Sequence, residues 1–339
     1  MNLKDPSYAR FALVREMMQT VDVVKQFSPE QTAGVSGKIR DAGRLFLTGE
    51  GSSRIFPAKN VMRKCLTWGL GLSVATDCSR QAAQYDLSAF AVFCASNSGR
   101  TREVVTLAQK VTSEGNALCY GLTARPGSLL ADACAETFVL RCGWEEAVAA
   151  TKSVVEQALF YESLLWHMRG GSMPDMNPLG DALEQALTMP VPQDIVAAAA
   201  QAPTLYFSGY NDGVAEELTL KTNEITRKKS DFLEGTYAVH GIEEVMEPGD
   251  VVFVVDPIDE EIQKFQEVLE QGVGLRVVAI ADRDTPFPTL RVPRVGALQP
   301  YVYLCAGWNL LVEIGRYLDI NLDRPVRARK IGNEMITEP

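Results

Sequence analysis

Residues 90–105 read FAVFCASNSGRTREVV. The first six residues are apolar without alternation, the pattern of a strand buried on both faces of a sheet. Ser96, Asn97, Ser98 and Gly99 break the run. After Arg100 and Thr101 the segment resumes with the mixed spacing of an amphipathic helix. Hydroxyls this dense at a helix start have two uses. They can cap the helix by accepting from its first N–H groups. They can also line an anion cradle, because the same N–H groups and the helix dipole favour negative charge. A glycine in such a turn lets backbone come close to a ligand.

Working outward, strand-like and helix-like runs alternate along the whole chain. RLFLTG (44–49) precedes GEGSSR and a helical stretch PAKNVMRKCLTWG. AFAVFCAS, REVVTLAQKVTSEG, ALCYGLTA and ETFVL follow, and then a long helical pattern over 145–168, EEAVAATKSVVEQALFYESLLWHM. After GGSMPDMNPLG the pattern restarts: TLYFSG (204–209), a helix through VAEELTLKTNEITRK, DVVFVVDP (250–257), EEIQKFQEVLEQG, LRVVAIAD (275–282), LRVPRV and a long apolar helix over 299–319. Alternation of this kind predicts an α/β fold with largely parallel sheets. LFLTGEGSSR aligns in role with LYFSGYNDGV, and VFCASNSGRTRE with VFVVDPIDEE, so two similar domains of about 130 residues are expected. The divisions drawn are an N-terminal helical segment (1–34), a first domain (35–175), a second domain (195–320) and a tail (321–339). The serine-rich turns occur only in the first half, where Gly51, Ser52 and Ser53 follow one strand and Ser96, Ser98 and Thr101 another. That asymmetry places an anion site in the first domain.

A net charge of −10 argues against nucleic acid or an anionic membrane as partner. No stretch approaches the roughly 18 uninterrupted apolar residues of a membrane span, and the N-terminus lacks the core of a signal peptide. The seven cysteines are scattered singly, and His167 and His240 are the only histidines. No zinc cluster can be assembled from them, so reduced core thiols, a cytoplasmic location and no metal are expected. GEGSSR has Arg54 where a dinucleotide fingerprint needs its third glycine, and no acidic residue ends a clear second strand about 20 residues on. A GxxxxGK[ST] loop is absent. No cofactor is expected.

SNSGRT (96–101) resembles the SxSGxT signature of the SIS (sugar isomerase) domain family. The layout resembles two tandem SIS domains, each a parallel-sheet α-β-α sandwich of flavodoxin-like type. The resemblance is greatest to the isomerase module of the glucosamine-6-phosphate synthases, without their glutaminase domain. The quoted residues are Gly51–Ser52–Ser53, the segment VAATK (148–152), the set Glu217, Lys221 and Glu224, then His240 sixteen residues on, and Pro325 followed five positions later by Lys330. The resemblance implies that Ser53, Ser96, Ser98 and Thr101 hold a substrate phosphate, assisted by Gly51, Ser52 and Asn97. Glu224 would move a proton between C1 and C2, beside Lys221. His240 would assist ring opening, near a homodimer interface, and Lys330 would line the sugar site. Aldose–ketose chemistry needs a carboxylate base and a donor to the carbonyl oxygen. Each residue also has a plain structural use: Glu224 in a helical ion pair, His240 on a loop, Lys330 in a solvated basic tail.

Four departures bear on the substrate. Tyr237 stands where the family has glutamate, and Ile242 replaces a proline. Ala150 removes a hydroxyl from VAATK. Arg100 replaces a common glutamate, which makes the turn more cationic and suggests a sulfonate as an alternative to phosphate. A sugar-phosphate isomerase or amino-sugar-phosphate isomerase/deaminase is therefore expected. The alternatives are a deglycase of phosphorylated sugar–amino acid adducts, an isomerase of a sulfonated sugar and a non-catalytic sugar-phosphate sensor.

Overall fold

The computed structural model describes residues 1–336. Its ten strands make two five-stranded sheets in which every pairing is parallel. The chain divides into two compact bodies, one for each sheet.

The first body comprises Val23–Glu145, Ala150–Met176 and the described residues from Ala328 onward. Its strands are β1 (Arg44–Gly49), β2 (Ser73–Cys78), β3 (Ala91–Ala95), β4 (Cys119–Thr123) and β5 (Glu136–Val139). They lie in the order β2-β1-β3-β4-β5, the order of the doubly wound folds that place ligands where the strand sequence reverses. Alternation along the strands divides the core into two layers. Leu45, Leu47, Phe93, Tyr120 and Leu122 share one face with residues of the helices Ala33–Ala42, Ile55–Thr67 and Lys152–Met168. Phe46, Val92, Cys94 and Cys119 face the helix Arg102–Ser113. All five residues of β3 are buried, as its unbroken apolar run predicts.

The second body comprises Met1–Asp22, Glu146–Ala149 and Asn177–Arg327. Its sheet holds β6 (Thr204–Gly209), β7 (Lys229–Glu234), β8 (Val251–Val255), β9 (Arg276–Ala281) and β10 (Thr289–Arg291). Their order is β7-β6-β8-β9-β10, the same winding as the first sheet. The close approach of the first and third strands is also shared. A Cβ on Gly49 would stand 2.9 Å from the Ala95 carbonyl oxygen, and one on Gly209 2.9 Å from that of Val255. The helix Gln299–Tyr317 is buried nearly throughout. It packs on the helices Asn177–Thr188, Gln193–Gln201 and Val214–Lys221.

The expected α/β architecture with two tandem domains is present. The sequence reading lacked both second strands, β2 and β7, which stand at sheet edges. SVATDC and KSDFLE carry too many polar residues to read as buried strands, and β2 is only half-buried along most of its length. The helix expected over 145–168 begins at Lys152. Residues before it are held in irregular conformation because side chains and loops, rather than a helix, accept their N–H groups. Glu16 accepts from Glu146 N and Ala147 N, and the Asp323 carbonyl accepts from Val148 N. The helix drawn through Lys228 gives way to β7 at Lys229. All seven cysteines are free thiols, five of them buried. Among the described residues no helix is long and apolar enough to cross a membrane, and no group of His, Cys, Asp and Glu could hold a metal ion.

Candidate functional site

In the first body the turn after β3 gathers the expected hydroxyls. Ser96 Oγ lies 2.9 Å from Thr101 Oγ1 and 3.4 Å from Ser98 Oγ. Ser96 Oγ accepts the Gly99 N–H at 3.1 Å, and Ser98 Oγ accepts the Arg100 N–H at 3.2 Å. Ser96 and Ser98 are buried. Thr101 occupies the cap position of the helix Arg102–Ser113, yet its hydroxyl makes no capping bond. The hydroxyls therefore face one another instead of the helix. A cluster of three hydroxyls at a helix start can exchange its internal bonds for bonds to an anion.

Gly99 is required here. Its φ is +64°, and a Cβ on it would stand 2.2 Å from Ser128 Oγ and 2.4 Å from Ser128 Cβ. After β1, Gly51–Ser53 form a short helical turn with Gly51 at φ +55° and Ser52 buried. The Ser53 carbonyl accepts from the Gln157 side chain. The two serine turns thus follow neighbouring parallel strands, at the point where the strand order reverses. The sequence reading found no acid at the end of a second strand. Asp77 is in fact there on β2, but its carboxylate is engaged by the Cys78 N–H, Gln81 Nε2 and Tyr85 OH at 2.6–2.8 Å.

One residue that sequence reasoning missed organises this region. Glu145 is fully buried. Its Oε1 accepts from Thr151 N at 2.6 Å and Thr151 Oγ1 at 3.1 Å. Its Oε2 accepts from Ser153 Oγ and from Asn97 Nδ2, the latter at 3.2 Å. Lys330 Nζ lies 3.8 Å from the same Oε2, with the lysine side chain only 18% exposed. A buried carboxylate is tolerated when donors surround it, and the start of the helix Lys152–Met168 supplies some of them. The candidate Lys330 is thereby linked through Glu145 to the candidate Asn97, so the tail is not simply solvated. Asn97 Oδ1 is buried and has no hydrogen-bond partner among the described residues. Half-buried Ala150 sits in the same irregular segment. The signal for Glu145 was an acid shortly before a helix start, within a run of small residues.

Arg100 is engaged by the described end of the chain. Its Nη1 lies 2.8 Å from Glu334 Oε1, so the turn's added positive charge is balanced locally.

In the second body Lys221 is fully buried between two carboxylates, 2.8 Å from Glu224 Oε2 and 3.4 Å from Glu217 Oε1. Glu224 sits in a π-helical turn, Thr222–Thr226, that continues the helix Val214–Lys221. Such turns reorient one side chain and recur at functional sites. Glu217 is buried, while Glu224 is one-quarter exposed. One oxygen of Glu224 is thus oriented by the ammonium, and the side chain still reaches solvent. His240 follows the short helical turn Tyr237–Val239 and is exposed, as is Tyr237 at 51%. Among the described residues no hydrogen bond engages the His240 ring, so the structure does not tie it to Glu224. Ile242 opens the next short turn.

Residues 38–166 match the family model of the SIS domain. That match contains both serine turns, Glu145 and the helix that follows it. A curated relative, the glutamine–fructose-6-phosphate aminotransferase (isomerizing) of Aeropyrum pernix, is 26% identical over 313 residues, which cover 83% of this chain and 50% of the relative. The chain thus spans about half the length of that relative. Among solved structures, a candidate phosphosugar isomerase from Silicibacter pomeroyi superposes with a TM-score of 0.76 at 23% identity, covering 92% of this chain and 100% of its own. The glucosamine-6-phosphate deaminase of Thermotoga maritima gives 0.72 at 20% identity, covering 94% and 98%. The SIS match thus comes with an α/β fold shared along nearly the whole chain.

Proposed function

We propose that the protein is a sugar-phosphate aldose–ketose isomerase, or an amino-sugar-phosphate isomerase/deaminase, working through a glutamate base. The observation that carries this reading is the turn of Ser96, Ser98 and Thr101, whose hydroxyls bond one another at a helix start and leave the capping role unfilled. A phosphate supplies the acceptors such a cluster lacks. Ser52, Ser53, Gly51 and Asn97 complete the proposed anion contacts.

Glu224 is the proposed base. It takes the proton from the carbon next to the carbonyl, the electron pair becomes the enediolate, and the carboxylic acid returns the proton to the neighbouring carbon. Lys221 orients that carboxylate. His240 is the proposed donor to the oxygen on which charge develops. Lys330 is proposed to line the sugar site, where its ammonium stabilises the same charge. Tyr237 and Ile242 give the reacting end of the sugar different neighbours from those of the family pattern, which favours a substrate other than fructose 6-phosphate. Arg100 is committed to Glu334, so the departure at position 100 gives no reason of its own to replace phosphate with a sulfonate, and phosphate is the proposed anion. A soluble homodimer remains part of the proposal.

The test is a panel of hexose and hexosamine phosphates, phosphorylated sugar–amino acid adducts and sulfosugars, followed by NMR in deuterium oxide. The expected result is deuterium uptake at C2 of one sugar phosphate, abolished in Glu224→Gln. Unaltered turnover in Glu224→Gln would refute the assignment. Release of free amino acid from an adduct would replace it with the deglycase reading, and binding without turnover would replace it with a sensor.

A further inference from the structure

The described end of the chain pairs with the anion turn. Asn333 O accepts from Arg102 N at 3.0 Å and Arg100 O accepts from Met335 N at 2.8 Å, which makes an antiparallel bridge between Thr101 and Glu334. Side chains lock the same register. Arg100 Nη1 meets Glu334 Oε1 at 2.8 Å, and Asn333 Nδ2 donates to Glu103 Oε1 at 2.7 Å. Upstream of this bridge, Ala328, Arg329, Ile331 and Gly332 make no backbone hydrogen bonds among the described residues. The segment that carries Lys330 is thus held at the Lys330–Glu145 contact and at the bridge four residues later. The bridge also closes one side of an open cavity of about 660 Å³ lined by Ser98, Arg100, Arg125, Ser128 and Met335.

We propose that Arg100 and Glu334 form a latch that seats Lys330 against Glu145, and that Arg100 is a positioning residue, not an anion ligand. Its guanidinium is committed to a carboxylate on the strap. The bonds the strap makes use the outer backbone groups of Arg100 and Arg102, leaving the inner N–H groups of Gly99 and Arg100 on the serine hydroxyls. Filling of the turn and seating of the strap therefore employ different atoms of the same turn. The effect of the seated lysine on turnover rests on the isomerase reading above. The latch itself does not.

The experiment compares wild type with Arg100→Glu, Glu334→Arg and the charge-swapped pair. Three readouts are taken: hydrogen exchange at the Arg102 and Met335 amides, affinity for inorganic phosphate by calorimetry, and kcat and KM on the sugar phosphate turned over. Each single change should speed exchange and lower kcat by about three- to fivefold, while the uncompensated charge weakens phosphate in Arg100→Glu and tightens it in Glu334→Arg. The swapped pair should restore both. Unchanged exchange in the single variants overturns the latch. Phosphate affinity lost in Arg100→Glu and not regained in the swap makes Arg100 an anion ligand and overturns the proposal. Faster exchange with an unaltered kcat overturns the positioning role. If the wild type turns over no sugar phosphate, the isomerase reading falls while the exchange result still decides the latch.

Discussion

Replacing Gly99 with alanine tests the anion turn at its least tolerant point. The backbone there has φ +64°, a region that costs an L-residue about 1–2 kcal/mol. The added methyl would also stand 2.2 Å from Ser128 Oγ, 2.4 Å from Ser128 Cβ and 3.0 Å from Thr123 Oγ1. Real carbon atoms do not approach so closely, and moving a packed neighbour costs about 1–3 kcal/mol. The two contributions together predict a loss of about 2–5 kcal/mol, a large share of the ~5–15 kcal/mol that holds ordinary proteins folded. Urea unfolding measures this loss, and calorimetry with inorganic phosphate measures the second consequence. Displacing the Gly99 N–H from Ser96 Oγ should weaken phosphate by at least about tenfold. Ser128→Gly separates most of the two contributions, because it removes the two nearest contacting atoms, leaving Thr123 Oγ1 at 3.0 Å, and leaves the backbone angle unchanged. In that background Gly99→Ala should cost only the ~1–2 kcal/mol of the angle. A Gly99→Ala protein within about 0.5 kcal/mol of wild type, binding phosphate normally, would refute the geometry on which the anion site rests.

Glu145→Gln should destabilise the first body by about 2–4 kcal/mol, because an amide nitrogen would then face donors that now meet a carboxylate. It should also lower kcat by withdrawing the charge beside Lys330, and an unchanged unfolding curve would count against the role given to Glu145. Glu50 tests pH dependence: burial is the main influence on its carboxyl and raises its pKa above the ordinary glutamate value, with the Ser79 N–H bond working against it. A raised acid pKa means that the native state holds the proton more tightly than the unfolded chain. The stability this contributes is complete below the unfolded value and is lost as pH rises through the folded one. Glu50→Gln should therefore gain on wild type as pH rises from about 4 to 7 in thermal melts, and a difference that does not vary with pH would exclude the linkage.

The legible part of the fold was the part buried on both faces. β3, β4, β8 and β9 are apolar throughout or nearly so, and such runs announce themselves without periodicity. β2 and β7 lie at sheet edges, where one side of the strand meets solvent and polar residues cost little. Their parallel pairing with β1 and β6 is set by the sheet, not by their own composition. The segment before Lys152 failed for a different reason. EEAVAATK has helical spacing, and only the distant acceptors Glu16 and Asp323 draw its N–H groups into another conformation.

The candidate site divides in the same way. The serine turn was readable because its chemistry is local: six adjacent residues, 96–101, supply the hydroxyls, the glycine and the helix start. Lys330 was named from the resemblance of its tail to that of the isomerase modules, and its basic neighbours pointed equally to a solvated tail. The residue that decides between those readings, Glu145, lies 185 positions away in the chain. Arg100 shows the converse. Taken with its neighbours it adds a positive charge to an anion turn, and a sulfonate in place of phosphate is the ligand it suggests. Paired with Glu334 it adds almost none, because opposite charges 2.8 Å apart cancel at the distance of a substrate. A charge read from sequence thus carries functional meaning only once its counter-charge is known. Here the counter-charge belongs to the strap that carries the lysine, so the departure at position 100 bears on how Lys330 is held before it bears on which anion is bound.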